Sequence, residues 1–167
     1  MNQTRIGLIF RSKTTYESTD LWALEILVQT ISLNVFYHFV YQLGIAYNAS
    51  ATYLTYRDDG IVLIDITTSA KYQGDIVNQI KALVDSSKID DNTVKRTKQM
   101  ITGQYTIDLE DVRSKTAFVS KKSFEFGKPV SSDEWINNLN QVTEEKIVKL
   151  KGEIFKQEPT LVTLPIR

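Results

Sequence analysis

Hydrophobic and polar positions alternate in short stretches at both ends of this chain, and between them they recur mostly at helical spacing. In Thr4 to Phe10, Ile6, Leu8 and Phe10 share one parity while Arg5, Gly7 and Ile9 take the other, the pattern of a strand with one better-buried face. Ser18, Thr19 and Asp20 offer N-cap side chains. Leu21, Leu24, Leu27, Val28 and Ile31 then fall at helical spacing, predicting a helix that ends near Leu33 or Asn34. A second short helix is expected from Val35 to Gln42, stopped by Gly44, which takes a left-handed C-cap without a Cβ penalty. From Ala46 the period becomes two, with Tyr47, Ala49, Ala51 and Tyr53 on one side. After Asp58-Asp59-Gly60, Val62, Ile64 and Ile66 alternate in the same way, which predicts a β-hairpin.

Helices are expected over most of the remainder. Ile76, Val77, Ile80, Leu83 and Val84 form an apolar stripe between Gln73 and Asp85, and Asp91 or Asn92 would cap a helix through Met100. Val112 to Phe126, Ser131 to Leu139 and Thr143 to Phe155 follow. Thr160 to Leu164 reads as a last strand between Pro159 and Pro165. No internal repeat, low-complexity tract or linker interrupts this order, so residues 1–167 read as a single α+β domain. Its expected core is a mostly antiparallel sheet of about four strands with helices on one face. The opposite sheet face must then meet water, a ligand or another domain, with Tyr47, Tyr53, Tyr56, Asp65 and Thr67 as its candidate residues.

Composition narrows the chemistry. Of 167 residues, 42% are hydrophobic and 24% charged, enough for a sizeable core. Twenty Lys plus Arg balance twenty Asp plus Glu, so net charge draws the chain toward neither nucleic acid nor an anionic membrane. There is no cysteine and one histidine, His38. Disulfides, thiolate metal sites and thiol nucleophiles are thereby removed, a Ser-His arrangement would have His38 as its sole base, and a closed zinc site would need an almost wholly carboxylate ligand set. No nucleotide-binding glycine motif occurs.

Other candidates have simpler explanations. Trp22 to Phe39 is broken by Glu25, Gln29, Asn34 and His38, so no membrane span is expected; with no export signal either, a soluble, cytoplasmic protein is. His38 reads as a hydrogen-bonded or half-exposed helix residue. The carboxylate pairs Asp58-Asp59, Asp90-Asp91 and Glu110-Asp111 fit a turn, a helix cap and a helix junction. Lys121-Lys122 with Lys115 and Arg113 fits a solvated helix face.

The order of elements and several strings resemble the C-terminal, non-catalytic half of the pitrilysin/insulinase-type zinc peptidases, which include the mitochondrial processing peptidases. The string Val35 to Tyr47 is similar to a family helix ending in Gly-Leu-Ala-Tyr, with Gly44, Ala46 and Tyr47 matching. Asp20 with the Leu-rich helix, Lys98, Val142-Thr143-Glu144-Glu145 and Leu161-Val162-Thr163-Leu164-Pro165 also match in order. The active half of that family carries an inverted His-x-x-Glu-His zinc motif, which this sequence lacks. The resemblance implies a metallohydrolase-like α/β roll that binds no cofactor itself, forms the wall of a chamber and pairs with a zinc-binding catalytic domain or subunit around an unstructured peptide substrate. It further implies that Tyr47 contacts substrate, although the arginine that accompanies this tyrosine corresponds to Val40. No catalytic or metal-ligating residue is assigned, and no activity is expected from this chain alone. Two alternatives stand beside this reading: a catalytically dead scaffold resembling the core subunits of respiratory complexes, and a free-standing protein-interaction module.

Overall fold

In the computed structural model, which describes residues 3–166, four strands form one antiparallel sheet in the order β2-β3-β1-β4. They are β1 (Gln3–Ser12), β2 (Ala46–Thr55), β3 (Gly60–Ser69) and β4 (Thr160–Ile166). The helices are α1 (Leu21–Phe36), α2 (Gln73–Ser86), α3 (Asp91–Asp108), α4 (Val112–Phe126), α5 (Ser132–Asn140) and α6 (Glu144–Phe155). The N-terminal strand is central because its partners come from both ends of the chain: Ile6 lies opposite Ile66 on one side and Thr163 on the other.

The strand parities sort the sheet into two faces. Ile6, Leu8 and Phe10 of β1 and Val62, Ile64 and Ile66 of β3 point to the helical side and are buried in one core cluster with residues of α1, α2, α3 and α6. Removing each such aliphatic side chain from water is worth about 1.5–3 kcal/mol, which makes this register the stable one. A one-residue slip would turn the whole set outward. The second face differs from the expected aromatic mixture. Its residues include Ile9, Leu63, Val162 and Leu164, with Asp65 held by Arg5 at 2.7 Å. Tyr53 shares parity with Ala49 and points inward, whereas Asp65 and Thr67 do lie outward and Tyr56 sits beyond the strand.

Helix α1 is enclosed on nearly all sides. Leu21, Leu24, Leu27, Val28 and Ile31 are buried, and so are Ala23, Ile26 and Val35, because other helices cover what the sheet does not. The helical run Leu21–Gln42 has the length and mean hydropathy of a membrane span, contrary to the reading from its polar interruptions, and 56% of its most apolar window is buried in this fold. Core burial accounts for that apolarity.

Cap chemistry places several helix starts. Asp90, rather than Asp91 or Asn92, caps α3 by accepting from the Thr93 N–H at 2.8 Å, and the helix continues through Gly103 to Asp108. Asp111, Ser131 and Thr143 cap α4, α5 and α6 in the same way. Asp20 does not. Its carboxylate faces Lys146 at 3.0 Å, so it ties α6 to the start of α1 instead of capping. Pro165 lies inside β4 rather than after it, tolerated because β4 is an edge strand.

Candidate peptide-contact site at Tyr47

The segment leading to Tyr47 is a continuation of α1, not a separate helix. After Phe36 the backbone widens into a π-helical run, Tyr37–Gln42. Phe39 is its buried anchor, and the Leu43 N–H donates to the His38 carbonyl at 3.0 Å. Gly44 then adopts φ +61°, as expected for the residue that stops the helix. The Ile45 N–H closes the turn on the Phe39 carbonyl at 3.1 Å, and the Thr68 hydroxyl donates to the Ile45 carbonyl. The entry into β2 is thus pinned from both sides.

At this pinned point β2 carries a bulge. Ala46 pairs with Thr68 and Asn48 with Thr67, so Tyr47 is the extra residue on its strand. Strict alternation would put Tyr47 on the inward side with Ala49, Ala51 and Tyr53. The bulge breaks that parity, and Tyr47 is 56% exposed. A phenol held this way presents an apolar ring and a hydroxyl that can donate to a peptide carbonyl.

The π-helical run packs against β2 and adds an aromatic surface that the periodicity analysis did not single out. Phe36, Tyr37 and Tyr41 are all exposed, with ring centroids 5.4 Å apart for Phe36–Tyr41 and 6.2 Å for Tyr37–Tyr41. The signal was present: an i, i+4 tyrosine pair flanking buried Phe39 gives an exposed aromatic stripe on a helix. Val40 is half-buried and packs on the core, so position 40 supplies no cation.

The remaining candidates are dispersed. His38 is half-buried, and its Nδ1 lies 2.9 Å from Gln42 Oε1, the hydrogen-bonded helix residue anticipated. Asp59 accepts from the Gly60 N–H at 2.9 Å and from Arg11 at 2.6 Å, which holds its carboxyl below the usual carboxylate range in the hairpin turn. Asp90 is held lower still, to about 2, chiefly by the Thr93 backbone N–H. Lys98 donates to the carbonyls of Asn140 and Val142 and so fastens the α5–α6 connection to α3. One member of the basic cluster departs from the solvated-face reading. Lys122 is largely buried, its Nζ 4.1 Å from the Trp135 ring centre and 3.0 Å from Glu125.

Zinc does not fit these residues. Among the described residues no group of three or more His, Asp or Glu side chains converges, and the sole imidazole is engaged with Gln42 on the π-helical run.

Comparison with known proteins places this geometry. No family model matches the chain. By sequence it is 27% identical to an uncharacterized zinc protease, YmxG, of Bacillus subtilis, over 72% of this chain and 30% of that protein. It is 24% identical to an uncharacterized zinc protease of Rickettsia bellii, over 87% of this chain and 38% of that one. By structure it matches an inactive peptidase domain from Bordetella parapertussis with a TM-score of 0.80 and 10% identity, covering 99% of this chain and 94% of that one. An M16-like peptidase from Alicyclobacillus acidocaldarius matches with a TM-score of 0.76 and 15% identity, over 98% of this chain and 40% of that one. The fold is that of an M16-like peptidase domain. The chain spans about a third of the length of the curated relatives it matches. Within this peptidase fold, the hairpin and the helix before it are what hold Tyr47 and the aromatic turn together.

Proposed function

We propose that this chain is a non-catalytic domain or subunit of a zinc-dependent endopeptidase, which lines the chamber and binds peptide while a separate catalytic domain or subunit holds the zinc. It corresponds in this reading to the C-terminal half of a processing-type peptidase. The observation that carries it is the bulge that lifts Tyr47 out of the inward parity beside an exposed aromatic turn. Named zinc proteases among the sequence relatives support the peptidase setting. A structural neighbour of nearly the same span is itself an inactive peptidase domain, which agrees with a role without hydrolysis.

The chemistry of the wall is binding only. The Tyr47 hydroxyl donates to a substrate carbonyl, and the rings of the π-helical run supply apolar contact. Without a cation at Val40, this grip is weaker than a charge-assisted one. That same half-buried Val40 favours a second reading, in which the domain is a structural scaffold that keeps the fold and has lost substrate contact.

Tyr47→Phe separates the two. In the pair assembled with its zinc-holding companion, losing one hydrogen bond of about 1 kcal/mol is expected to weaken association of a fluorescent unstructured peptide roughly fivefold, with the fold retained by circular dichroism. Unaltered peptide anisotropy leaves the scaffold reading. The chain alone is expected to show no peptidase turnover with added zinc, and zinc-dependent cleavage by it would overturn both readings.

A further inference from the structure

Glu25 is a carboxylate buried among the helices, and nothing in the peptide-wall reading uses it. It projects from the enclosed helix α1, is 9% exposed, and accepts a 2.8 Å hydrogen bond on Oε1 from the Tyr105 hydroxyl of α3. Its Oε2 is buried and accepts no hydrogen bond. A buried carboxylate oxygen left this way is costly unless a donor or a cation reaches it.

Glu25 lines a cavity of about 410 Å³ between α1, β2 and α3, within the size range of small-ligand pockets. Asp108 and Gln104 stand on its α3 wall, and Thr52 and Tyr53 come from β2. Its walls carry two carboxylates and no Lys or Arg, whereas the neighbouring clefts each include at least one of these cations. The groups that act on Glu25 from other elements compensate its charge only in part: Tyr105 donates to Oε1, Lys122 of α4 attracts it while pairing with Glu125 at 3.0 Å, and Trp135 of α5 acts on it as a donor. Burial accordingly pushes the Glu25 carboxyl up, against the pull of Tyr105, Lys122 and Trp135.

We propose that the cavity beside Glu25 binds a small organic monocation, an ammonium or guanidinium group, which pairs with the carboxylates of Glu25 and Asp108 in its lining. An added strand is an unsuitable occupant, because the Ala51 N–H of β2 already donates to the Ser32 hydroxyl of α1 at 3.0 Å. A cavity of this volume holds a single head group on a short stem, either a free amine or a basic side chain.

The test uses the full chain and ¹H–¹⁵N NMR titration with n-butylguanidinium, n-butylammonium and the neutral n-butanol. The cations shift the amides of residues 51–53 and 104–105 and bind about tenfold or more tighter than n-butanol. Glu25→Gln brings the ratio near one. Equal affinity for cation and alcohol, or a preference that survives Glu25→Gln, overturns the proposal. Should Glu25→Gln fail to fold, Met100→Lys decides. It tethers an ammonium at the exposed cavity wall and is expected to weaken n-butylguanidinium about tenfold, and unchanged binding there also overturns it. Acetyl-Ala-Lys-Ala-amide against n-butylammonium distinguishes the sources: tighter binding of the peptide assigns a basic side chain, and tighter binding of the amine assigns a free cation.

Discussion

On the sheet side, Ile6, Leu8, Val62, Ile64 and Ile66 share a core with α1, their side chains wholly withdrawn from water, while on the opposite flank α4 has no fully buried residue. The first region is aliphatic and continuous across three strands and a helix. The second is a small aromatic cluster, Trp22, Tyr53, Tyr105, Phe118 and Phe126 around Leu21, Val130 and Trp135, joined by the Lys122–Glu125 pair. Here rings meet edge to face, with Phe118 and Phe126 6.1 and 6.3 Å from Trp135. Such contacts add about 0.5–1.5 kcal/mol each beyond area burial, but α4 contributes no fully buried side chain to them. The two regions therefore differ in how they open. Sheet and α1 separate only when the domain unfolds, and α4 can lift locally at a smaller cost. Tyr47 is mounted on the rigid region, whereas Glu25 lies where the two meet.

Substitutions can break this contrast in order of size. Ile64→Ala, in the middle of a buried central strand, is expected to cost about 4 kcal/mol, read as a lower urea midpoint with all probes moving together. Trp135→Ala is expected to cost about 3 kcal/mol, and its signature is spatial. Amides of α4 and α5 lose hydrogen-exchange protection while β1 and β3 keep theirs, and uniform loss across the sheet would show that the satellite cluster is part of one cooperative core.

The smallest effect is a pH slope. The Glu25 carboxyl is raised by burial, so the folded state holds its proton more tightly than the unfolded state. Stability from this group is full below the ordinary carboxyl range and falls as pH rises through the raised value. Asp90 acts with the opposite sign. With its carboxyl lowered to about 2, its contribution is present above the ordinary range and lost as pH falls toward that value. Glu25→Gln should flatten the alkaline-side decline in melting temperature and leave the acid-side decline in place. A decline unchanged in that variant would assign it to another group.

Much of this arrangement was legible from residue spacing. The hairpin around Asp58-Asp59-Gly60, the stop at Gly44 and the helix starts at Ser131 and Thr143 depend on neighbours in sequence, and local chemistry decides such features. The misreadings share a cause. Asp20 has the right side chain for a cap but is drawn to Lys146, more than a hundred residues away. Lys122 sits in a run of charges that reads as solvated, and is buried because Trp135 offers its ring face. Glu25 looks like a polar interruption of an apolar helix, and only the approach of α3 makes it a buried acid with Tyr105 as partner.

The candidate site divides along the same line. The sequence by itself determined that no thiol and a single imidazole are present, that strands flank a helical middle, and that a tyrosine follows a glycine stop. These follow from composition and from periods of two and 3.6 residues, which a chain carries whatever it later touches. The tertiary structure decided that Tyr47 is the extra residue of a bulge, that its neighbours are exposed aromatics on a π-helical run, and that α1 is enclosed on nearly all sides. Register, bulges and burial are set by the pairing of distant segments, and the energy that selects them exists only once those segments have met.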